Sequence, residues 1–287
     1  MKKIGFIGTG IMGAAMAGHL MDAGYELSVY NRTKSKADGL VARGAKWCDT
    51  PGACAKGQDI VITMVGYPKD VESIYLGEDG ILANLASGAY AVDMTTSSPL
   101  LAERIYEEAA KRGIYAVDAP VTGGDSGAKA ATLTILVGGD KASFDALKPV
   151  FDVMGKTVVY EGTAGAGQKT KMCNQIAIAG ALAGACEAFA YARASGLDIK
   201  AVFDSISTGA AGSFQMSNVV QKGLLGDFAP GFMLKHFVKD LTISEETGKA
   251  YGAMMPVLEQ VLKEAKELES EGQGNKGTQA LLHYYCK

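Results

Sequence analysis

Near its start the chain reads KIGFIGTGIMG, with Gly8, Gly10 and Gly13 in G-x-G-x-x-G spacing. What flanks the glycines gives them meaning. An apolar run over Lys3–Ile7 reads as a strand, and a helical pattern follows over Met12–Ala23. A strand that turns into a helix through such a loop restricts the fold to a βα unit built for a dinucleotide. Gly8 permits the tight turn, Gly10 lets the backbone approach a pyrophosphate, and Gly13 lets helix pack closely on strand. The helix N-terminus then faces the anion. Gly8, Gly10, Ile11, Met12 and Gly13 are the candidate contacts, although Met12, like Met16, suits packing of the first helix better than contact with a ligand. A glycine-rich turn without a ligand is the competing reading, and the strand–loop–helix setting weighs against it.

The same alternation continues. Strands are expected at Glu26–Tyr30, Ile60–Val65, Ala89–Met94, Tyr115–Ala119, Leu133–Val137 and Thr157–Tyr160, with helices at Ser35–Arg43, Pro68–Leu76, Leu100–Arg112 and Lys141–Met154. Strands such as DIVITMV are nearly continuous apolar runs, as strands covered on both faces should be. After Gly162 no further strand is expected. Helices are expected over Gly167–Ala194, Ile199–Ser207, Ser213–Lys222, Met233–Tyr251, Met255–Leu268 and Gly277–Tyr285. The fold class is therefore α/β: an N-terminal Rossmann-type doubly wound sheet over residues 1–163, a long connecting helix, and an all-α domain over 164–287. Two domains joined by a rigid helix leave a cleft, where small ligands commonly bind.

At 287 residues, 48% apolar and 21% charged, the composition is that of a soluble globular protein. A net charge of −3 provides no basic field for nucleic acid or acidic lipid. No signal peptide is expected, because glycines break the first apolar run. No membrane span is expected either, the longest candidate being Ile176–Cys186. Cys48, Cys54, Cys173, Cys186 and Cys286 form no framework and no zinc-like spacing with histidine, so no metal site is expected; they suggest reduced thiols in a cytoplasm.

The end of the second strand selects among dinucleotides. An NAD site places Asp or Glu there for the ribose hydroxyls. This chain has Asn31 and Arg32 instead, followed by Thr33, Lys34 and Lys36. Guanidinium, hydroxyl and ammonium groups suit a 2′-phosphate, which favours NADP over NAD. An ordinary charged turn is the alternative. The later strand ends MVGYP and DMTTSSP, containing Met64, Val65 and Thr96, should line the same site, with Thr96 near the nicotinamide.

Two further stretches carry polar groups where apolar ones would be expected. In DAPVTGGDSGA, Thr122, Gly123 and Gly124 would offer a hydroxyl and unhindered backbone N–H groups to a carboxylate, or form a plain glycine turn. In GAGQKTKMCNQ, Lys171, Asn174 and Gln175 share one face of the long helix. Lys171 could pass a proton to a carbonyl oxygen, with Asn174 holding the substrate or the ammonium in line. A solvated helix start would explain the lysine as well.

Four motifs, FIGTGIMGAAMAGHL, DAPVTGGDSGA, GAGQKTKMCNQ and FMLKHFVKDL, spread over most of the chain, resemble the β-hydroxyacid dehydrogenase family. That family includes 3-hydroxyisobutyrate dehydrogenases, tartronate semialdehyde reductases and glyoxylate/succinic semialdehyde reductases. The resemblance implies a Rossmann domain with a helical domain, assembled as a homodimer or homotetramer. It implies Lys171 as catalytic acid/base assisted by Asn174, and a small carboxylate substrate held by Thr122, Gly123 and Gly124 near Thr96 and Phe232. Lys239 and Asp240 would close the cofactor and substrate site. Thr122 departs from the family, where Ser is more usual, but keeps the hydroxyl.

The reading is thus an NADPH-linked oxidoreductase of short aldehyde acids. STGAAGSFQMSN and KHFVKDL look most like 3-hydroxyisobutyrate dehydrogenases, whereas the cofactor signature looks more like the glyoxylate/succinic semialdehyde reductases. A non-catalytic NADP-binding scaffold is the alternative from another class, and tartronate semialdehyde reductase an alternative within it. A decarboxylase resembling 6-phosphogluconate dehydrogenase would need a longer helical domain. His236 reads as structural, and His19 and His283 carry no functional signal.

Overall fold

The computed structural model describes residues 1–286. It contains the strands β1 (Lys3–Ile7), β2 (Glu26–Tyr30), β3 (Lys46–Trp47), β4 (Ile60–Thr63), β5 (Tyr90–Asp93), β6 (Tyr115–Asp118), β7 (Val121–Thr122), β8 (Leu133–Gly138) and β9 (Gly155–Gly162). Helices of the first half are α1 (Ile11–Asp22), α2 (Asp38–Ala42), α3 (Pro51–Ala55), α4 (Pro68–Leu76), α5 (Ile81–Asn84), α6 (Pro99–Ala110), α7 (Gly124–Lys129) and α8 (Lys141–Phe151). The second half holds α9 (Ala166–Ala194), α10 (Ile199–Ile206), α11 (Gln221–Leu224), α12 (Leu234–Ala250), α13 (Pro256–Leu268) and α14 (Leu282–Tyr285).

The strands form one sheet in the order β3-β2-β1-β4-β5-β6-β8-β7, with β9 beside β8. From β3 to β6 every pairing is parallel. Alternate residues feed two cores: Ile60 and Ile62 point to one and Val61 to the other. Met16 and Leu20 of α1 and Phe144, Leu147 and Phe151 of α8 fill the first face, whereas Val71 and Tyr75 of α4 and Ile105 and Ala109 of α6 fill the second. Coverage on both faces explains why the strands lack a polar alternation.

Beyond β6 the sheet departs from the uniformly parallel expectation. β8 runs antiparallel to both β6 and β7, and only β9 restores a parallel neighbour. Successive positive φ angles at Gly123 (127°) and Gly124 (64°) redirect the chain here, and α7 is too short to carry β8 back as a parallel crossover. The two-residue strands β3 and β7 escape a reading by periodicity.

The chain folds as two compact units, Met1–Lys171 and Met172 onward. By contacts the division falls inside α9, whose start is hydrogen-bonded to the sheet unit through Asp118. In the second unit, Leu182, Cys186 and Phe189 of α9 pack with Phe237 and Leu241 of α12 and Leu258, Leu262 and Leu268 of α13. The pattern over Ser213–Lys222 forms a π-helical segment, Gln215–Val220, running into α11, and Gly277–Tyr285 begins as a 3-10 turn before α14.

One expectation needs correction. At 29 residues, with a mean hydropathy of 1.3 over 18 of them, α9 is long and apolar enough to cross a membrane by length and composition. Small Ala and Gly residues extend its apolar character well beyond the Ile176–Cys186 run. A core helix passes the same test, and Ala179, Leu182, Ala183, Ala185, Cys186 and Phe189 lie in the helical unit's own core.

Candidate functional site

In the sheet unit the candidate residues gather at the carboxyl ends of adjacent parallel strands. The register aligns Tyr30, Ile7, Thr63, Asp93 and Asp118 across β2, β1, β4, β5 and β6. The residues just beyond this row form the rim where ligands bind in open α/β sheets. Gly8, Asn31 and Met64 lie there, with Val65 and Thr96 a little further on.

The glycine loop is built for close approach. Gly8 has φ 99°, and a Cβ on it would collide with the Met64 carbonyl oxygen. A Cβ on Gly13 would collide with the Gly8 carbonyl oxygen, which keeps α1 tight against β1. At Gly10, the N-cap of α1, a Cβ would meet nothing within 4 Å, and no side chain caps the helix. The helix N-terminus therefore opens onto free space with its first N–H groups available. Beside it, the Thr9 hydroxyl is buried and meets no hydrogen-bond partner among the described residues. An open helix end, a glycine cradle and an unfilled hydroxyl together fit a dinucleotide pyrophosphate. Ile11 is 60% exposed at the same helix start, while Met12 packs partly against the core.

Asn31 braces the loop: its Oδ1 accepts from the Thr9 N–H at 3.0 Å, and its Nδ2 donates to the Thr33 carbonyl at 2.8 Å. Arg32 stands outward with its side chain 87% exposed, 3.5 Å from Asp70. Thr33 and Lys36 are exposed around it, and Lys34 lies over the Trp47 ring at 5.3 Å. Val65 donates its N–H to Thr95 Oγ1 at 3.0 Å, joining the β4 and β5 rims.

Two buried carboxylates organise the next strands. Asp93 Oδ1 accepts from Thr63 Oγ1 at 2.8 Å and from the Thr95 N–H at 3.0 Å. Burial pushes its carboxyl up to about 6, against the lowering effect of those bonds. Asp118 receives the Gly165 N–H at 2.7 Å and the Gln168 N–H at 2.8 Å, so a strand carboxylate caps α9 from outside the helix. Burial raises this carboxyl too, with the two backbone donors opposing. Close docking requires Gly138 and Gly167, since a Cβ at Gly138 would stand 2.6 Å from Asp118 Oδ1 and one at Gly167 would strike the Leu136 carbonyl. Motif and spacing assign no role to Asp93, Asp118 or Gln168. The one signal available for the two acids is that each ends an otherwise apolar strand.

On α9 two lysines separate. Lys169 is exposed and paired with Glu103 at 2.7 Å, whereas Lys171 is 6% exposed. Asn174 follows one turn later on the same face. Its Nδ2 donates to Gln175 Oε1 at 2.7 Å, and Gln175 Nε2 donates to Asp240 Oδ2 at 2.8 Å. Asp240 Oδ1 meets the Lys239 ammonium at 3.0 Å as an ion pair with both side chains nearly buried. Within the helical unit, Asn174, Gln175, Asp240 and Lys239 thus form one polar chain. Phe232 stands before α12, stacked near His236 with ring centroids 6.5 Å apart. Burial, then the charges of Lys239 and Lys235, lowers the His236 pKa.

Thr122 and Gly124 are half-buried and Gly123 is exposed, at the entrance to α7. His19 of α1 meets the Ala128 and Lys129 carbonyls at the other end of α7, each at 3.0 Å. That histidine ties the helix of the glycine loop to the helix of the Thr122–Gly124 turn.

Residues 3–162 match the family model described as the NAD binding domain of 6-phosphogluconate dehydrogenase. Residues 165–285 match that described as the NAD-binding of NADP-dependent 3-hydroxyisobutyrate dehydrogenase. The chain is 49% identical over 286 residues to the oxidoreductase YkwC of Bacillus subtilis (strain 168), covering 100% of this chain and 99% of the relative. It is 37% identical over 264 residues to an NAD-dependent L-serine dehydrogenase of Pseudomonas aeruginosa, covering 90% and 89%. Among solved structures, Mycobacterium tuberculosis 3-hydroxyisobutyrate dehydrogenase with L-serine is similar at a TM-score of 0.91 and 29% identity, covering 99% and 98%.

Proposed function

The chain belongs to the β-hydroxyacid dehydrogenase family of NAD(P)-dependent oxidoreductases, and from that premise we propose that it interconverts a short carboxylate-bearing aldehyde and its hydroxy acid, using NADP(H) and a lysine acid/base. The observation that carries this reading is the burial of Lys171 on α9, one turn before Asn174 and one turn after the helix start that Asp118 caps.

In the direction of reduction, the Lys171 ammonium donates a proton to the substrate carbonyl oxygen; in oxidation its amine takes the proton from the hydroxyl. Asn174, braced through Gln175 to Asp240, orients the reacting group. The N–H groups and hydroxyl of Thr122, Gly123 and Gly124 hold the carboxylate, and Phe232 shapes the apolar side of the substrate. The resemblance also assigns Lys239 and Asp240 of the FMLKHFVKDL motif to cofactor and substrate. The nicotinamide, when bound, supplies or accepts the hydride. Arg32, with Thr33 and Lys36, favours the 2′-phosphate of NADP, in the absence of an acid at the end of β2.

The candidate substrates are 3-hydroxyisobutyrate with methylmalonate semialdehyde, glyoxylate, succinic semialdehyde and tartronate semialdehyde. L-Serine joins them because two of the similar proteins carry it in their descriptions. It has the same three-carbon β-hydroxy acid frame as 3-hydroxyisobutyrate, with an ammonium where the latter has a methyl. A non-catalytic scaffold is no longer favoured, since the family is one of enzymes and Lys171 is retained. We further propose a cytoplasmic homodimer or homotetramer, supported by the free thiols and by exposed Tyr191, Leu197, Phe214, Leu225, Met254 and Val257.

The test is a panel: NADPH and NADH oxidation with the four aldehydes, and NADP⁺ and NAD⁺ reduction with 3-hydroxyisobutyrate and L-serine. Turnover of one substrate pair with NADPH preferred is expected. Equal rates with NADH overturn the cofactor assignment, and silence with NADPH bound overturns the substrate class.

A further inference from the structure

Gln168 lies one turn before Lys171 on α9, and it is 0% exposed. A buried primary amide has to satisfy its donors and its acceptor. Gln168 does so on the loop that follows β5: Oε1 accepts from the Ser97 N–H at 2.9 Å, and Nε2 donates to the Thr95 carbonyl at 2.7 Å. Those two peptide groups bracket Thr96. The side-chain amide thus bonds the loop as the peptide group of an adjacent strand would.

The loop is fixed from the opposite side as well. Thr95 donates its N–H to Asp93 and accepts from the Val65 N–H through Oγ1. The Gln168 backbone N–H donates to Asp118. One residue therefore joins the β5 rim to the capped start of α9, and residues three apart on a helix share a face, so Lys171 inherits that register. The charged groups around Gln168 are Asp118 at its own N–H, Asp93 behind Thr95, and Lys171 and Lys169 on α9.

We propose that Gln168 is a positioning residue of the reaction, holding the Thr96 backbone at a fixed place relative to the Lys171 turn of α9. The proposal rests on the reading of Lys171 as acid/base and of Thr96 as part of the nicotinamide side of the site. Docking of α9 itself does not need the Gln168 side chain, because Asp118 takes backbone N–H groups. Replacing the amide should loosen the loop while leaving the helix in place.

Two variants test this. Gln168→Met keeps the length and removes both bonds. Gln168→Glu, when protonated, offers the same acceptor and donor as the amide, and when ionised it sets a carboxylate against the Thr95 carbonyl. For Gln168→Met we expect kcat to fall by about 10²-fold, the scale of a misplacement of about 1 Å. NADPH affinity should stay close to wild type and the Ser97 amide should exchange faster with deuterium. For Gln168→Glu we expect kcat relative to wild type to recover as the pH is lowered. If Gln168→Met does not fold, that pH profile carries the test. A merely structural role predicts a lowered Tm with kcat of the folded variants at the wild-type level and no recovery in acid, and that result overturns the proposal. Lys171→Ala is run alongside. Turnover retained by Lys171→Ala overturns the underlying reading, whereas turnover lost there and kept by Gln168→Met overturns the proposal alone.

Discussion

Asp93 and Asp118 stand opposite each other in the register of β5 and β6, with exposures of 5% and 4%. Each carboxylate holds a different part of the rim: Asp93 the turn at Thr95, Asp118 the start of α9. Their mutual repulsion adds to burial in raising the Asp93 pKa.

This pair gives the protein a specific response to pH. Asp93 moves from 3.8 in the unfolded chain to about 6 in the fold, so the folded state binds more protons between those values. The stability it contributes is complete below the unfolded value and is lost as the pH rises through about 6. The move corresponds to about 3 kcal/mol at about 1.4 kcal/mol per tenfold in proton affinity. Asp93→Asn keeps the acceptor for Thr63 and Thr95 and removes the titration. Urea midpoints of wild type should therefore fall relative to the variant between pH 4 and pH 7, and parallel curves would contradict the assignment.

Lys171→Ala should lower kcat by about 10²–10⁴-fold, the usual worth of a positioned acid/base. NADPH affinity, measured by fluorescence titration, should be nearly unchanged. A variant that keeps most of its turnover would remove Lys171 from the chemistry.

Arg32→Asp should shift the kcat/KM ratio of NADPH to NADH by about ten- to a hundredfold, since a charge-assisted contact is worth about 1.5–3 kcal/mol. With its side chain 87% exposed, Arg32 can be changed at little cost to folding, and Tm should hold. An unchanged ratio would exclude a 2′-phosphate contact at this residue.

Gly13→Ala inserts a methyl against the Gly8 carbonyl oxygen and must push α1 away from β1. Overpacking of this kind costs about 1–3 kcal/mol. Thermal unfolding should show that loss together with weakened binding of both NADPH and NADH, since the pyrophosphate is common to the two. Loss of only one cofactor would contradict the glycine loop as the shared site.

The early part of the fold is legible in the sequence because its signals are local. The glycine loop, its flanking strand and helix, and the long apolar strands follow from spacing within a few residues. The reversal at β8 is not legible, since strand direction depends on the path taken after Gly123 and Gly124. Lys169 and Lys171 show the same limit. Two lysines two residues apart look alike in sequence, yet the docked face of α9 sends one to Glu103 and buries the other. Asp93 and Asp118 fall inside the expected strands Ala89–Met94 and Tyr115–Ala119, and nothing in their spacing tells what each holds at the last rung of its strand. Their donors come from Thr63, Thr95, Gly165 and Gln168, and no local pattern brings together residues as far apart as 118 and 165.

The place where α9 crosses from one compact unit to the other governs how this chain can be dissected. A fragment ending at Gly162 would keep every strand but discard the Gly165 and Gln168 N–H groups, leaving the Asp118 carboxylate without these two donors. A fragment ending after Lys171 would retain them. A sheet-unit piece that keeps these two bonds therefore ends partway along a helix, and fusions, truncations or domain exchanges between relatives should be joined within α9 and not at the loop that precedes it.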